Sequence, residues 1–183
     1  IISNAAILCG EKAIQSLSED RYACEVFAGL FEGVYENELQ SNRWRFAMAK
    51  FTLSQLVDVP LNQWKYAYQL PAEMLLPTHI WPPGPYEIYA DHLYSNHSAI
   101  EMDGMFKPEV SECPAYFAML MTFALAREGI KSLTESDDAV RIMEQKYAAQ
   151  RNRALYADAQ GRPPTPMVYS PFTSGVGRTH MGG

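Results

Sequence analysis

The spacing of the apolar residues changes twice along the chain. From about residue 18 to 41 they recur near every 3.6 residues, as in Val26, Phe27 and Leu30. Between residues 44 and 102 they alternate with polar residues, which is typical of half-buried strands, and beyond Pro114 the helical spacing returns. We therefore expect an α+β fold, mainly a helical bundle with a small antiparallel, aromatic-rich sheet between its helices.

Local signals place the helices. A short helix is predicted from Ser3 to Leu8 and is closed by Gly10. The long helix is expected to begin at the cap Ser18-Glu19-Asp20, with Gly29 and Gly33 in close contact with a neighbour, since each costs about 1 kcal/mol in a helix interior. A helix from Pro114 to about Gly129 and another from a Thr134–Asp137 capping box to about Asp158 predict an antiparallel hairpin.

The alternating segment predicts several strands. Trp44, Phe46 and Met48 alternate with Arg45 and Ala47, and a bulge or break is expected at Ala49-Lys50, where the apolar parity shifts. Further strands are predicted at 64–70, 86–94 and 99–102, with a turn at 95–98. Four prolines predict a stiff loop between the strands at 64–70 and 86–94, namely Pro77, Pro82, Pro83 and Pro85.

The last 25 residues differ from the rest. Residues 159–183 contain 5 of the 11 glycines and 4 of the 12 prolines and show no apolar period. Such a segment builds no core, yet it carries large apolar side chains. We interpret residues 1–158 as one domain, with a β-sheet insertion at 44–107, and residues 159–183 as an extended arm that orders on a partner; a disordered end without a role is the alternative.

Charge is unevenly distributed. The 183 residues carry a formal charge of -6, with 7 basic and 15 acidic side chains up to residue 112 and 8 basic and 6 acidic ones beyond it. This balance disfavours a general nucleic-acid binder, which needs clustered Lys and Arg. No apolar run approaches the ~20 residues that span a bilayer, and no signal peptide is recognisable at the start, so no membrane role is expected.

Cysteine and histidine give little sign of chemistry. Cys9, Cys24 and Cys113 lack a CxxC spacing and are expected to be reduced, the first two as small core residues. A metal site at His92 and His97, with Asp91 and Asp103 nearby in sequence, is conceivable, but the spacing matches neither a helical i,i+4 pair nor a zinc-finger or metalloprotease pattern. We therefore predict neither a metal site nor a cofactor.

An enzyme remains an open alternative. Two carboxylate pairs near the aromatic strands could serve a hydrolase of cell-wall or capsule glycans, Glu87 with Asp91 or Glu101 with Asp103. Trp64, Tyr66 and Trp81 could stack on sugars. The simpler interpretation is that these aromatic residues form core and that the carboxylates solvate a surface. A further alternative is a cytoplasmic binding module of another kind.

Several short motifs occur in a recognisable order. Ala5-Ala6-Ile7-Leu8-Cys9-Gly10-Glu11 is followed by Ser16-Leu17, and Trp44-Arg45-Phe46-Ala47 follows the long helix. Then come Trp64-Lys65-Tyr66-Ala67-Tyr68-Gln69-Leu70-Pro71, Tyr86-Glu87-Ile88 with Leu93-Tyr94-Ser95-Asn96, and Cys113-Pro114-Ala115-Tyr116-Phe117 with Ala124-Leu125-Ala126. Together they resemble the tail tubular protein A family, the head-to-tail adaptors (gatekeepers) of short-tailed bacteriophages, over about residues 5–158.

Two departures from the family pattern are small. Cys9 replaces a more usual aliphatic residue, and Ala13 stands where proline is expected. The resemblance implies a structural, non-enzymatic protein of the virion tail, made in the host cytoplasm. Twelve copies would form a ring below the portal, bind the tail nozzle (tail tubular protein B-like) and possible tail fibres, and continue the DNA channel without sequence-specific DNA binding.

A ring needs two different faces of each subunit to meet. The acidic first part and the basic later part of the chain would supply complementary charge for that joint or for the portal. We expect the docking end to run from Arg141 to Arg178. Its predicted portal-binding residues are basic or large and apolar, namely Arg141, Arg151, Arg153, Met167, Tyr169, Phe172 and Arg178.

Overall fold

A computed structural model of the protein describes residues 1–58, residue 60 and residues 63–161. Over these residues the fold is α+β, with four α-helices and two antiparallel sheets, so the predicted fold class is confirmed. The helices are α1 (Ile2–Leu8), α2 (Tyr22–Gln40), α3 (Ala115–Leu133) and α4 (Asp137–Gln160). No helix among the described residues is long and apolar enough to span a bilayer.

The strands between α2 and α3 form two sheets. They are β1 (Met48–Thr52), β2 (Ser54–Gln55), β3 (Tyr66–Gln69), β4 (Met74–Trp81), β5 (Tyr86–Tyr89), β6 (His92–Ser95) and β7 (Glu101–Phe106). One sheet has the order β1-β7-β4 and the other β2-β3-β6-β5. The predicted insertion therefore contains two sheets rather than one.

Two apolar cores hold the fold together, and β7 contributes to both. All four helices bury side chains in the larger core, which also takes Trp44, Ala47 and Met105. The smaller core lies in the strand region and contains Tyr68, Leu93 and Met102. Because Met102 and Met105 are three residues apart, they lie on opposite faces of β7. The strand therefore joins the three-stranded sheet to the helices.

The antiparallel hairpin of α3 and α4 has the predicted order but shifted ends. The helix starting after Pro114 does not end at Gly129; it continues to Leu133. The side chain that caps α4 belongs to Ser136, whose Oγ accepts a hydrogen bond from the Ala139 amide at 3.3 Å, so the predicted capping box from Thr134 is wrong. The α4 helix ends at Gln160, two residues beyond the predicted Asp158.

Three glycines have structural roles that differ from those predicted from the sequence. Gly29 and Gly33, predicted to allow close packing, have open space where a Cβ would be. Gly129, taken as the end of a helix, is the packing glycine: a Cβ there would lie 2.4 Å from a ring carbon of Phe27. The absence of a side chain at Gly129 thus sets how closely α3 approaches α2.

The long helix begins later than predicted. It starts at Tyr22, and Ser18 does not cap it. Instead, the Glu19 carboxylate accepts hydrogen bonds from the amides of Gln15 and Ser16 at 2.6 and 2.8 Å, and these bonds hold its pKa below the usual value. The acidic segment therefore organises the preceding loop rather than the first turn of α2.

Two strand predictions also change. Trp44 and Phe46 do not begin a strand; Arg45–Ala47 forms a 3-10 turn, because the buried Trp44 indole donates to the Glu38 carbonyl at 2.7 Å and turns the chain back towards α2. The strand runs unbroken from Met48 to Thr52, without a bulge at Ala49-Lys50. The predicted proline loop is in part strand β4, where Pro77 is tolerated because β4 is an edge strand with shifted register on both sides of it.

Candidate docking surface

The predicted docking residues on α4 do not form one patch. Arg141 lies near the start of the helix, where it pairs with Asp138 at 3.0 Å. Arg151 lies near the end, and its Nη2 donates to the Ser41 carbonyl at 3.5 Å. Arg153 is exposed and lies about 200° around the helix from Arg151. The structure therefore brings only Arg151 to the segment that follows α2.

The other predicted docking residues lie in the arm. Met167, Tyr169, Phe172 and Arg178 are outside the described residues. Because residues 159 and 160 belong to α4, the arm begins later than predicted, at Gly161, which lies beside the Arg45 side chain: a Cβ on Gly161 would lie 3.4 Å from Nη1 of Arg45. The surface next to Arg45 is therefore the part of the domain closest to the start of the arm.

Asp158 fixes the end of α4 in place. It is 7% exposed, and its carboxylate accepts hydrogen bonds from the Tyr116 hydroxyl at 2.7 Å and from the Arg45 amide at 3.2 Å. Burial, and then the bond to Asp158, raise the pKa of Tyr116 above its usual range. One carboxylate thus joins the end of α4 to the start of α3 and to the 3-10 turn after α2.

Beside this joint lies a cavity of about 380 Å³, which we call the basic cavity. It is lined by residues from the segment after α2 and from the three-stranded sheet, namely Arg43, Arg45, Met48, Thr78, His79 and Asp103. Lys50 and His79 both lie opposite Asp103 in the strand register, so these three residues form a row across the sheet.

The cations of the basic cavity are only partly neutralised. Asp103 is paired with Lys50 at 2.9 Å, and the Thr78 hydroxyl is used in a bond to the Asp103 carbonyl at 2.8 Å. Among the described residues, neither Arg43 nor Arg45 forms a salt bridge. The cavity therefore offers two guanidinium groups in a chain whose formal charge is -6.

A second buried carboxylate joins α2 to α4. Glu38 is 1% exposed, and its Oε1 accepts a hydrogen bond from the Tyr147 hydroxyl at 2.7 Å. The other oxygen, Oε2, is buried without a hydrogen-bond partner among the described residues. The guanidinium of Arg127 lies 4.0 Å from the centre of the Tyr147 ring. Burial, followed by the bond to Glu38, raises the pKa of Tyr147.

The two carboxylate pairs considered for glycan hydrolysis lie in different sheets, and each pair lies within one sheet and its turns. Glu87, on β5, accepts a hydrogen bond from the Trp64 indole at 2.8 Å. Asp91, in the β5–β6 turn, binds the Gln69 side chain at 2.9 Å, and this bond is the main cause of its lowered pKa. Glu101 and Asp103 are both on β7, in the other sheet. Three of the four carboxylates thus have hydrogen-bonding partners, since Asp103 is also held by Lys50.

The described histidine and cysteine side chains do not cluster into a metal site. His92 lies 3.3 Å from Asp91, and His97 lies against Gly84. In the described ranges, no group of three or more His, Cys, Asp or Glu side chains could hold a metal ion. All three cysteines are free, and Cys113 contacts the Tyr35 hydroxyl at 3.3 Å.

The sequence did not predict that Arg43, Arg45 and His79 lie on one surface. A local signal was present, since Arg43 and Arg45 flank Trp44 directly after a predicted helix. With Trp44 buried, its neighbours are forced outwards, and both arginines are exposed. His79 had no signal, because the proline-rich segment around it indicated a loop.

Comparison with known proteins adds no assignment to this surface. No protein-family model matches the chain, and no curated protein matches it.

Proposed function

We propose that the protein is a ring-forming head-to-tail adaptor of a short-tailed bacteriophage, a structural virion protein that joins the portal to the tail nozzle. Twelve copies would surround the channel through which DNA leaves the head. Tail fibres are a further possible partner of the ring. The proposal rests on the resemblance of residues 5–158 to the tail tubular protein A family.

The observation that carries the proposal is where the family landmarks lie in the fold. Gly10, with a φ of +85°, ends α1, and Trp44 forms the buried joint between α2 and the first sheet. Tyr68 is buried in the smaller core, and Pro114 precedes the first residue of α3. Residues that connect secondary-structure elements or fill the core are the ones that proteins with the same architecture would need to have in common.

The finer architecture belongs to the same proposal. The shared core of α1 to α4 supports a helical bundle, and the sheets would form a lobe on one side of it. Several strand positions are aromatic, in keeping with the aromatic-rich sheet of the proposal: Tyr66, Tyr68, Tyr86, Tyr89 and Tyr94. We assign the bundle to the ring body.

Charge supports a channel wall and a separate docking end. Residues 1–112 carry 15 acidic against 7 basic side chains. A wall of this sign would let DNA slide, because it offers few cations to hold phosphates. The arm starts next to Arg45 and follows the helix that carries Arg151, which would place a basic surface at the portal-facing end.

The docking role of the arm can be tested by truncation. Since α4 extends to Gln160, residues 162–183 can be deleted without cutting the helix. We expect this variant to keep its circular dichroism spectrum and urea midpoint but to co-sediment poorly with purified portal rings. Undiminished binding of the truncated protein would contradict a docking role for the arm.

A triple variant tests whether the arm binds the portal through its large apolar side chains or only through its length. Met167→Ser/Tyr169→Ser/Phe172→Ser removes the three predicted anchors and retains the arm. The matched control, Thr165→Ser/Ser170→Ala/Thr173→Ser, changes neighbouring small residues. We expect the first variant alone to lose portal binding; equal binding by both would show that these side chains are not the anchors.

A further inference from the structure

The basic cavity concentrates positive charge that the described fold does not neutralise. Arg43 and Arg45 lie on either side of the buried Trp44, and both side chains border the same space of about 380 Å³. Neither forms a salt bridge within the described residues. Two neighbouring unpaired guanidinium groups repel each other, so an anion between them would be favourable.

Neighbouring groups within the described fold offset only part of this positive charge. Nη1 of Arg45 lies close to Gly161, where the partial negative charge at the end of α4 attracts a cation. Residues 162–183, which continue from Gly161, contain no Asp or Glu. The arm therefore has no acidic side chain to place in the cavity.

We propose that the basic cavity is a phosphate-binding site. A guanidinium group matches two oxygens of an anion in a planar fork, so one arginine suffices for a carboxylate. Two arginines and His79 line this space and suit a group with more acceptor oxygens, as phosphate has. Asp103 does not prevent this, because Lys50 already pairs with its carboxylate at 2.9 Å.

Phosphate could reach the cavity from two sources. One is a small free anion, such as inorganic phosphate or pyrophosphate, and the other is the backbone of a nucleic acid. Both present the same oxygens to Arg43 and Arg45. Calorimetry measures the binding of pyrophosphate, and fluorescence anisotropy measures the binding of a short labelled DNA duplex. The probe that binds more tightly shows which of the two sources the cavity favours.

The test uses the full chain at low ionic strength. Arg43→Gln/Arg45→Gln removes both guanidinium groups, and Lys12→Gln/Lys65→Gln removes the same charge from exposed positions elsewhere. We expect the first variant to bind pyrophosphate at least about tenfold more weakly, since charge-assisted hydrogen bonds are lost. The lysine variant should bind as the unaltered protein does.

A conservative variant separates geometry from charge. Arg43→Lys/Arg45→Lys keeps two cations but loses the planar fork, so its affinity should fall between those of the unaltered protein and the glutamine variant. Circular dichroism establishes that each variant is folded. The proposal is overturned if neither phosphate probe binds, if the two glutamine variants weaken binding equally, or if a polyglutamate peptide of matched charge binds more tightly than both probes.

Discussion

The Tyr116 hydroxyl donates a hydrogen bond of 2.7 Å to the carboxylate of Asp158, so the first turn of α3 is joined to the last turn of α4. The same carboxylate receives the Arg45 amide, which places the 3-10 turn and the basic cavity beside the point where the arm leaves. The position of the proposed docking surface therefore depends on one buried acidic side chain.

Removal of the Tyr116 hydroxyl should destabilise this joint. Tyr116→Phe deletes one hydrogen bond to a charged group, which contributes about 2 kcal/mol. We expect the free energy of unfolding in urea to fall by about this amount. Tyr156→Phe is the matched control, because the Tyr156 side chain is exposed. Equal stability of the two variants would show that the contact with Asp158 contributes little.

The contact of Glu38 with Tyr147 should be strongly coupled. Tyr147→Phe leaves the buried carboxylate without its hydroxyl donor, while its other oxygen already lacks one. In a double-mutant cycle with Glu38→Ala, which removes the acceptor, we expect a coupling energy of about 1–3 kcal/mol from urea denaturation. Additive effects of the two substitutions would contradict this account of the α2–α4 contact.

Alanine at two glycines should have opposite effects. Gly129→Ala would place a Cβ 2.4 Å from the Phe27 ring, so we expect a loss of about 1–3 kcal/mol from overpacking. Gly33→Ala meets open space in the middle of α2 and should stabilise the isolated protein by about 0.5–1 kcal/mol. Urea denaturation measures both, and a stabilising Gly129→Ala would refute the assigned contact between α2 and α3.

The Cys9 thiol should react slowly. Burial, and then the charge of Glu11, raise its pKa from 9.0 to about 11. The thiol favours its neutral form in the folded state, so its contribution to stability is complete below pH 9 and is lost as the pH rises towards 11. The rate of Cys9 alkylation by iodoacetamide, followed by peptide mass spectrometry, should keep rising with pH up to about 11 rather than level off near pH 9. Rapid alkylation at neutral pH would contradict this.

The sequence predicted the parts of the fold that depend on local periodicity. The helical and alternating patterns indicated the order helix, strands, helical hairpin, which the structure has. The errors concern residues whose role is set by distant contacts. Gly129 could not be recognised as a packing glycine without knowing that Phe27 lies against it, and Pro77 could not be placed in a strand without knowing that β4 is an edge.

The candidate surface was less predictable. Basic residues on α4 were recognised from composition, but the angle between Arg151 and Arg153 sends them to different sides. The basic cavity combines Arg43 and Arg45 with His79, more than 30 residues later in the chain. Only the pairing of β4 with β7 brings His79 next to Asp103 and so to this site.

Electron microscopy of the protein mixed with purified portal rings tests the central claim most directly. The adaptor proposal predicts an additional ring on one face of the portal, with twelve-fold symmetry and a central opening that continues the portal channel. Portal particles indistinguishable from those imaged alone, at protein concentrations well above that of the portal, would contradict it.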